Sequence, residues 1–543
     1  MGRLVSNGQQ VSIFAGSSTG VHFISQAEQK LQMLRIHTDS FPSGVYSLYL
    51  NSIWSTPPKN SDADLIAAIV AQLPPNTEEI VEAAIDHWTP LYPIVHKPTT
   101  LSALRHLLAF PATSTLAILH QTLHLLALGT INHPNPSCPH SHTHHFLCTS
   151  EPYHALTTPL TPLLLSAAPS LPTLQALVLA QLYAQLSTRP SLATHLNGAA
   201  VRLAQSLGLH RHSQRFRFDA LDSELRRRAW HSQHALDAFG SAAAGLPRLV
   251  RERDVDADEC ARAASDDAVT RLDVGAPLPG ERSAVDAAVA MFALARATGA
   301  ALEALYTTTR RRRAVDKVDR LQAELDAWRR RHGAAGVGWV GRWLEAARCC
   351  AVVLVNRPAL AFTTAHPLFA VSLARCRDAS VRLARLVAAE VARDPGTGAC
   401  VALLYPNGLH MLWQAGLTVL FARWVGEVEG DADADAEVVE VCAETLRRLA
   451  EGGVSGEGTG AVRECADVLD LLRGKTFAEV GAVDWAGEGE TVAGGRERSP
   501  GVQLPAEQLQ WNVWDWPMAS ALELANTLDA MPFDLNFEAD MPW

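Results

Sequence analysis

The sequence predicts an all-α protein, a large multi-helix domain followed by a disordered acidic C-terminal tail. Three observations carry this expectation. From about residue 77 to 425 apolar residues recur at three- and four-residue steps with short breaks between segments. Extended runs of period-two alternation, the mark of a half-buried strand, are hard to find. And the charge is unevenly spread: residues 421–543 hold 25 Asp/Glu and 8 Lys/Arg, a net of −17, while the first 420 residues net +6. An acidic tail on a near-neutral body points to an appended protein-interaction segment, and phosphate repulsion argues against that tail touching DNA.

Residues 1–60 read as a linker-like segment, closing on Ser55-Thr56-Pro57-Pro58-Lys59-Asn60-Ser61, where proline removes donors and disfavours helix before it. Asp62 and Asp64 then precede Leu65, Ile66, Ile69, Val70 and Leu73, a helical repeat. Farther on, Leu192, Leu196, Ala199, Leu203 and Leu207 are expected on one helical face, with Gly208 as its left-handed C-cap. Asp219 and Asp222 supply N-terminal oxygens to the next helix, whose stripe is Leu225, Ala229, Leu236 and Phe239. Residues 475–508 read as a flexible linker, rich in Gly and Glu.

With 48% hydrophobic and 6% aromatic residues, the 543-residue chain can build one large core or two smaller ones. No uninterrupted apolar run reaches the roughly 18–20 residues of a spanning helix; the closest is Gly408 to Trp424, broken by His410, Gln414 and Arg423. No membrane partner is expected. The nine cysteines are scattered, odd in number and never spaced C-x-x-C, which does not read as a disulfide framework and fits a reducing compartment.

Five blocks, in order, resemble the regulatory domain of the fungal-specific (Zn2Cys6 zinc-cluster) transcription factors, of the xylanolytic-activator type. Ala84 to Thr99, with Trp88, Tyr92 and His96, is similar to the entry motif of that domain. Asn197 to Gln205 with Leu207 to His210 is similar to its central helix, and Glu224 to Asp237 to the helix after it. Leu354 to Pro358 and His410 to Gly416 resemble its later helices. On this likeness residues 61–474 are the regulatory domain, and 509–543 the acidic, aromatic activation segment. The family implies an all-helical domain that restrains an activation domain and, in some members, senses a metabolite. It also implies action in the nucleus, coactivator partners, a homo- or heterodimer, and a small-molecule inducer.

Two departures from the family matter. Its six-cysteine zinc cluster is not found in these 543 residues, so DNA contact and zinc are expected only if such a cluster lies upstream of Met1. The chain is then a fragment, or a regulator without direct DNA contact. Relatives also often carry paired Trp after the Arg run, whereas Trp230 is followed by His231, so one aromatic is missing from the core or pocket wall.

The residues expected to line or buttress the central packing are Trp88, Tyr92, His96, His210 and Trp230, in structural roles before ligand contact. Arg226, Arg227 and Arg228 are read as cations on the solvated and domain-facing sides of a helix, with Asp222 and Glu224 as partners, rather than as a DNA contact. Arg310 to Arg313 reads equally as a nuclear import signal or as the charged start of a helix. Cys138, His140, His142, His144, His145 and Cys148 hold enough N and S ligands for zinc, yet in no recognised spacing; a solvated loop is the default reading. No GxSxG, HExxH, Walker A or dinucleotide fingerprint occurs, so no enzyme is expected.

Trp511 to Trp543 holds six acidic residues and no Lys or Arg, interleaved with Trp511, Trp514, Trp516, Phe533, Leu535 and Phe537. Such a segment stays solvated until its aromatics dock in a coactivator groove. A terminal helix packing through Leu524, Leu528 and Met531 is the other reading. The rivals for the chain as a whole are a DNA-independent coregulator that dimerises with full-length relatives, and a small-molecule-binding protein unrelated to transcription.

Overall fold

The computed structural model describes residues 2–6, 12–16, 33, 60–132, 146–167, 169–187, 189–213, 216, 218–306, 314–362, 364–393, 408–426, 431–451 and 459–478. Over these the protein is built of helices, with one hairpin and one long irregular segment, 246–285. Strands β1 (Gly2–Ser6) and β2 (Ser12–Gly16) form an antiparallel hairpin with Leu4 opposite Phe14. The linker reading of residues 1–60 missed it. Leu4, Val5, Ile13 and Phe14 are good strand formers, but four or five residues are too few to show a period. A lone hairpin is marginal in water. This one is anchored by Phe14, whose ring meets His210 edge-on at 5.0 Å.

Helices α1 (Asn60–Val70), α2 (Thr77–Trp88), α3 (Lys97–Ala109) and α4 (Leu116–Asn132) open the domain. Ile66 and Ile69 of α1 are buried against Leu119 and Leu123 of α4, as the repeat from Leu65 to Leu73 predicts. Then come α5 (Phe146–Thr157), α6 (Leu160–Ser166) and α7 (Leu171–Leu186). Ser170 caps α7 by accepting the Thr173 N–H at 3.2 Å. Most residues of α7 are apolar and nearly all are buried, including Gln175 and Gln181, so α7 is a central rather than a surface helix.

Helix α8 (Pro190–Ser206) ends at Gly208, φ 75°, in the left-handed cap the sequence predicts. Its buried face is rotated from the expected stripe. Leu196 and Leu207 are buried, but with Ala193, Asn197, Ala200 and Ala204, while Leu192, Ala199 and Leu203 sit at the margin. The core wants the small residues because α8 lies close against α7 and α9. Helix α9 (Ala220–Ala244) is capped by Asp219, which accepts the Asp222 N–H at 2.7 Å, and stops at Gly245, φ 66°. Asp222 itself does not cap: it pairs with Arg226 one turn on, at 3.1 Å.

A long irregular segment, 246–285, follows and folds back over α9. The second half comprises α10 (Asp286–Leu305), α11 (Ala314–His332), α12 (Gly338–Asn356), α13 (Pro367–Arg393), α14 (Gly408–Val425), α15 (Ala432–Glu451) and α16 (Thr459–Ala478). Successive helices pack on one another, α9 on α10, α10 on α11 and α12, α12 on α13, then α13 to α16. One apolar core runs from Val81 to Leu472 without a break.

By length and composition α10 is apolar enough to cross a membrane, which corrects the reading that Gly408 to Trp424 comes closest. Its Ala288, Met291, Leu294 and Ala295 are buried in the core, so packing accounts for its composition. Helix α16 runs four residues beyond the expected domain end at 474. The His-rich insert up to His145, Arg310 to Arg313, the rest of the 475–508 linker and the activation segment 509–543 lie outside the described residues, and of Cys148 only the backbone, in α5, is described.

Candidate functional site

The five residues singled out in the sequence are all buried, and they fall into two places joined by one carboxylate. Trp88 closes α2, its ring 6.2 Å from Trp339 of α12. Tyr92 follows in the turn, fully buried, and burial pushes its phenol up. His96 donates from Nε2 to the Asp266 carbonyl at 2.8 Å, and its Nδ1 lies 3.2 Å from Thr99 Oγ1. The next peptide, Lys97 N–H, donates to Asp266 Oδ2 at 2.9 Å, and Gln175 of α7 donates to the Ile94 carbonyl at 2.8 Å. The turn between α2 and α3 is thus fixed by side chains and backbone from α7 and from the 246–285 segment.

The other carboxylate oxygen, Asp266 Oδ1, accepts Arg228 Nη1 at 2.6 Å. Arg228 is wholly buried on α9 and also donates from Nε to the equally buried Glu224 at 3.0 Å. Glu224 accepts the Ala261 N–H at 3.0 Å with its second oxygen. Arg227 reaches Glu224 and the Ser213 hydroxyl, while Arg226 lies 3.9 Å over the Phe218 ring. The arginine run is therefore structural, as expected, but more deeply so: Arg228 is an interior cation rather than a solvated one. Burial alone would lower its pKa; Asp266 and Glu224 raise it.

His210 and Trp230 form the second place. Their rings are 6.1 Å apart, with Phe14 on the far side of His210. Burial and then Arg211 hold the His210 imidazole down to about 4, so it is neutral at neutral pH. The aromatic expected to be missing at His231 is replaced rather than lost. The His231 ring stacks on Phe292 at 5.4 Å and donates to the Asp258 carbonyl at 2.8 Å. Burial holds it down to about 4, so a neutral ring fills the aromatic position.

Behind Trp230 runs a buried polar network. Asn197 Oδ1 accepts Gln181 Nε2 at 3.2 Å and Gln233 Nε2 at 2.7 Å, and its amide donates to Asp237 Oδ1 at 2.8 Å. Asp237 also accepts the backbone N–H of Leu249 and Val250, and lies 3.8 Å from Arg248. Arg248 reaches Glu252 at 3.3 Å and His234 at 2.7 Å. Burial pushes the Glu252 carboxyl up, but His234 and Arg248 more than offset this and hold it at about 2. Three helices and the 246–285 segment therefore meet at side chains that apolar contacts alone would not orient. Of these groups, Gln181 and Gln233 gave no sequence signal beyond being polar within helices, and Asp266 and Arg248 none beyond being polar in an irregular segment.

Among the described residues no group of three or more His, Cys, Asp or Glu is set to hold a metal. Five of the six zinc candidates, Cys138 and the four histidines, fall outside the described residues, and Cys148 has no described side chain. A groove of about 610 Å3 opens elsewhere, between α13 and α15, walled by Arg377, Arg382, Arg385, Val381, Leu386 and Val438. None of the five sequence-named residues lines it. What the described side chains around α9 do is hold a conformation; among the described residues no metal-ligand group accompanies them.

Residues 85–330 match the model of the fungal specific transcription factor domain. The chain is 27% identical over 320 residues to the transcriptional activator protein acu-15 of Neurospora crassa, covering 58% of this chain and 33% of that protein. It is 24% identical over 340 residues to an uncharacterized transcriptional regulatory protein of Schizosaccharomyces pombe, covering 60% of this chain and 39% of that one. The matched part thus spans little more than a third of either relative. Both α9 and the Asp266 segment fall inside residues 85–330, so the buried junction is a feature of the matched region. The chain carries a fungal specific transcription factor domain and is homologous to fungal transcriptional regulators.

Proposed function

We propose that the chain is a transcription regulator of the fungal zinc-cluster type, acting on RNA polymerase II genes in the nucleus. One observation carries this reading: the transcription factor domain over residues 85–330 stands in the same chain as the acidic, aromatic segment Trp511 to Trp543. In this reading the helical domain is the effector-responsive body and residues 509–543 are the activation segment. A small-molecule inducer or a partner biases the body between two arrangements, and with it the access of coactivators to the segment. Trp88, Tyr92, His96, His210 and Trp230 buttress the packing through which that bias travels. A homo- or heterodimer with family members completes the scheme, and DNA is contacted directly only if a zinc cluster lies N-terminal to Met1.

Fusing residues 509–543 to a heterologous DNA-binding domain tests the central claim. Reporter activation is expected, and it should fall by at least about tenfold when Trp511, Trp514, Trp516, Phe533, Leu535 and Phe537 are replaced by alanine, since hot-spot aromatics dominate such docking. A fusion that is well expressed and silent with the aromatics in place removes the activator claim.

A further inference from the structure

We propose that three buried imidazoles, His120, His124 and His154, form an acid-release latch that holds α4, α5 and α7 together only while all three are neutral. His120 and His124 stand one turn apart on α4 with ring centroids 4.5 Å apart. His154 of α5 faces His124 at 6.2 Å, and Tyr183 of α7 lies 5.1 Å from His154 and 6.0 Å from His124. Ser150 Oγ and Tyr183 OH are 2.9 Å apart, closing the group. The three rings are 0%, 1% and 9% exposed.

The hydrogen bonds require the neutral state. Thr161 donates its hydroxyl proton to the Thr157 carbonyl at 2.9 Å, so its oxygen accepts from His120 Nε2 at 3.2 Å. His120 Nδ1 is then the unprotonated nitrogen, buried, with no hydrogen-bond partner; His154 Nδ1 is buried and partnerless in the same way. A second proton on either ring would be a buried N–H cation facing no acceptor. His124 donates from Nδ1 to the His120 carbonyl at 3.0 Å, which ties the two α4 rings to one backbone geometry.

Among the described residues one anion, Glu151, favours a charged His154, and it offsets the burial only in part. Of the titratable groups around the cluster, α5 contributes Glu151 and Tyr153, α7 contributes Tyr183, α6 none, and Arg189 enters at the start of α8. Glu151 is engaged by Arg189. The acids of α1 and α2 and the cations of α3 are not buried, Glu78 pairing with Arg105 and Glu82 and Asp86 with Lys97. Burial, then His154, accordingly hold His120 down to about 4; burial and His120 push His124 well below its usual value; burial and Arg189 lower His154.

The sign of the effect follows. Each ring binds a proton more tightly in the open form than in the closed, so closure is fully favoured above about pH 6.5 and weakens as pH falls toward the folded values. For His120 alone, opening should be about 10-fold more populated at pH 5.5 than at pH 7.5.

Hydrogen–deuterium exchange of the full chain at pH 5.5 and 7.5, corrected for intrinsic exchange rates, reads this directly. Peptides from α4, α5 and α7 should gain at least that factor, while α15 and α16, which carry no histidine, should not. His120→Leu and His154→Phe should flatten the pH response of α4 and α5. Equal gains in α15 and α16, or an unaltered response in the variants, would overturn the latch. If a variant does not fold, the native chain labelled at imidazole Cε1 decides instead. Three resonances that titrate together only on opening support the proposal; any of them titrating freely near pH 6.5 defeats it.

Discussion

Around α9 the contacts that close the core are largely polar and buried, whereas in α13–α16 they are mostly apolar inside. One interior ion pair joins Arg377 of α13 to Asp435 of α15 at 2.6 Å, and most others lie nearer the rim. Arg228, Glu224 and Asp237 are wholly buried and linked in two networks that join α7, α8, α9 and the 246–285 segment. In α15 the buried face is Val438, Val439, Cys442, Leu446 and Leu449, and its partners in α16 are Ala466, Leu469 and Leu472. Apart from Arg377 with Asp435, the ion pairs between the helices of that half, such as Arg473 with Glu440, lie toward the surface. The two constructions differ in what they specify. An apolar seam tolerates sliding and repacking, because any well-filled arrangement is nearly as good. A buried network with fixed donors and acceptors has one satisfied arrangement, and departures from it leave charges unpaired. The α9 junction therefore favours one well-defined arrangement, the property on which the proposed effector response would draw.

The sharpest way to break the contrast is Arg228→Met. Methionine fills much of the volume, but Glu224 and Asp266 would remain as carboxylates, one buried outright and one nearly so. Removing one partner of a buried ion pair costs about 3–5 kcal/mol, mostly from the stranded charge. Arg228 Nη2 already lacks a hydrogen-bond partner, so the native arrangement is itself incompletely satisfied. Urea unfolding should show the loss, together with faster proteolysis of the 246–285 segment, which the pair holds down. A change within about 0.5 kcal/mol would mean the network is ornamental and the apolar core alone sets the fold.

The same contrast explains what was legible in the sequence. The α1 repeat, the Gly208 cap and the Asp219 cap were all readable, because periodicity and capping are local. So was the general place of the entry motif and α9. The hairpin was not, being too short for a period, nor was the rotated face of α8, whose small residues matter only once the partner helices are known. Least legible were Asp266 and Arg248. Each sits in an irregular segment with no pattern. The partners of Asp266, His96 and Arg228, are 170 and 38 residues away, and Arg248 meets Asp237 of α9 as well as Glu252 of its own segment. Polar residues of that kind look like loop until the fold brings the partners in.

Two glycines sharpen the comparison at smaller amplitude. A Cβ on Gly299 of α10 would lie 2.0 Å from Arg248 Nη1 and 2.5 Å from its Cζ. A Cβ on Gly416 of α14 would lie 2.8 Å and 3.0 Å from the methyls of Leu469. Leu469 can turn within an apolar seam, but Arg248 can retreat only by leaving Asp237, Glu252 and Glu303. Gly299→Ala should therefore destabilise by about 2–3 kcal/mol and Gly416→Ala by about 1 kcal/mol, both measured by thermal or urea unfolding. Equal losses would show that the guanidinium has other places to go.

The smallest effect belongs to the rim. Arg447 of α15 pairs with Asp467 at 3.1 Å and with Asp470, both on α16, across the most extensive helix contact in the C-terminal half. By geometry this is as well made as the Arg228 pairs, with two carboxylates on one guanidinium. By environment it is different: the Arg447 side chain is 33% exposed and Asp467 69%. Water solvates all three charges once the pair is broken, so nothing is stranded. Arg447→Ala is expected to change stability by about 1 kcal/mol or less, with the loss shrinking further in 0.5 M salt as screening weakens what the pair contributed. Arg228→Met should keep its full effect in the same salt, because the carboxylates it strands are out of reach of counter-ions. The salt dependence of the two variants thus separates an interior network from a surface one, even where both look alike as lists of distances.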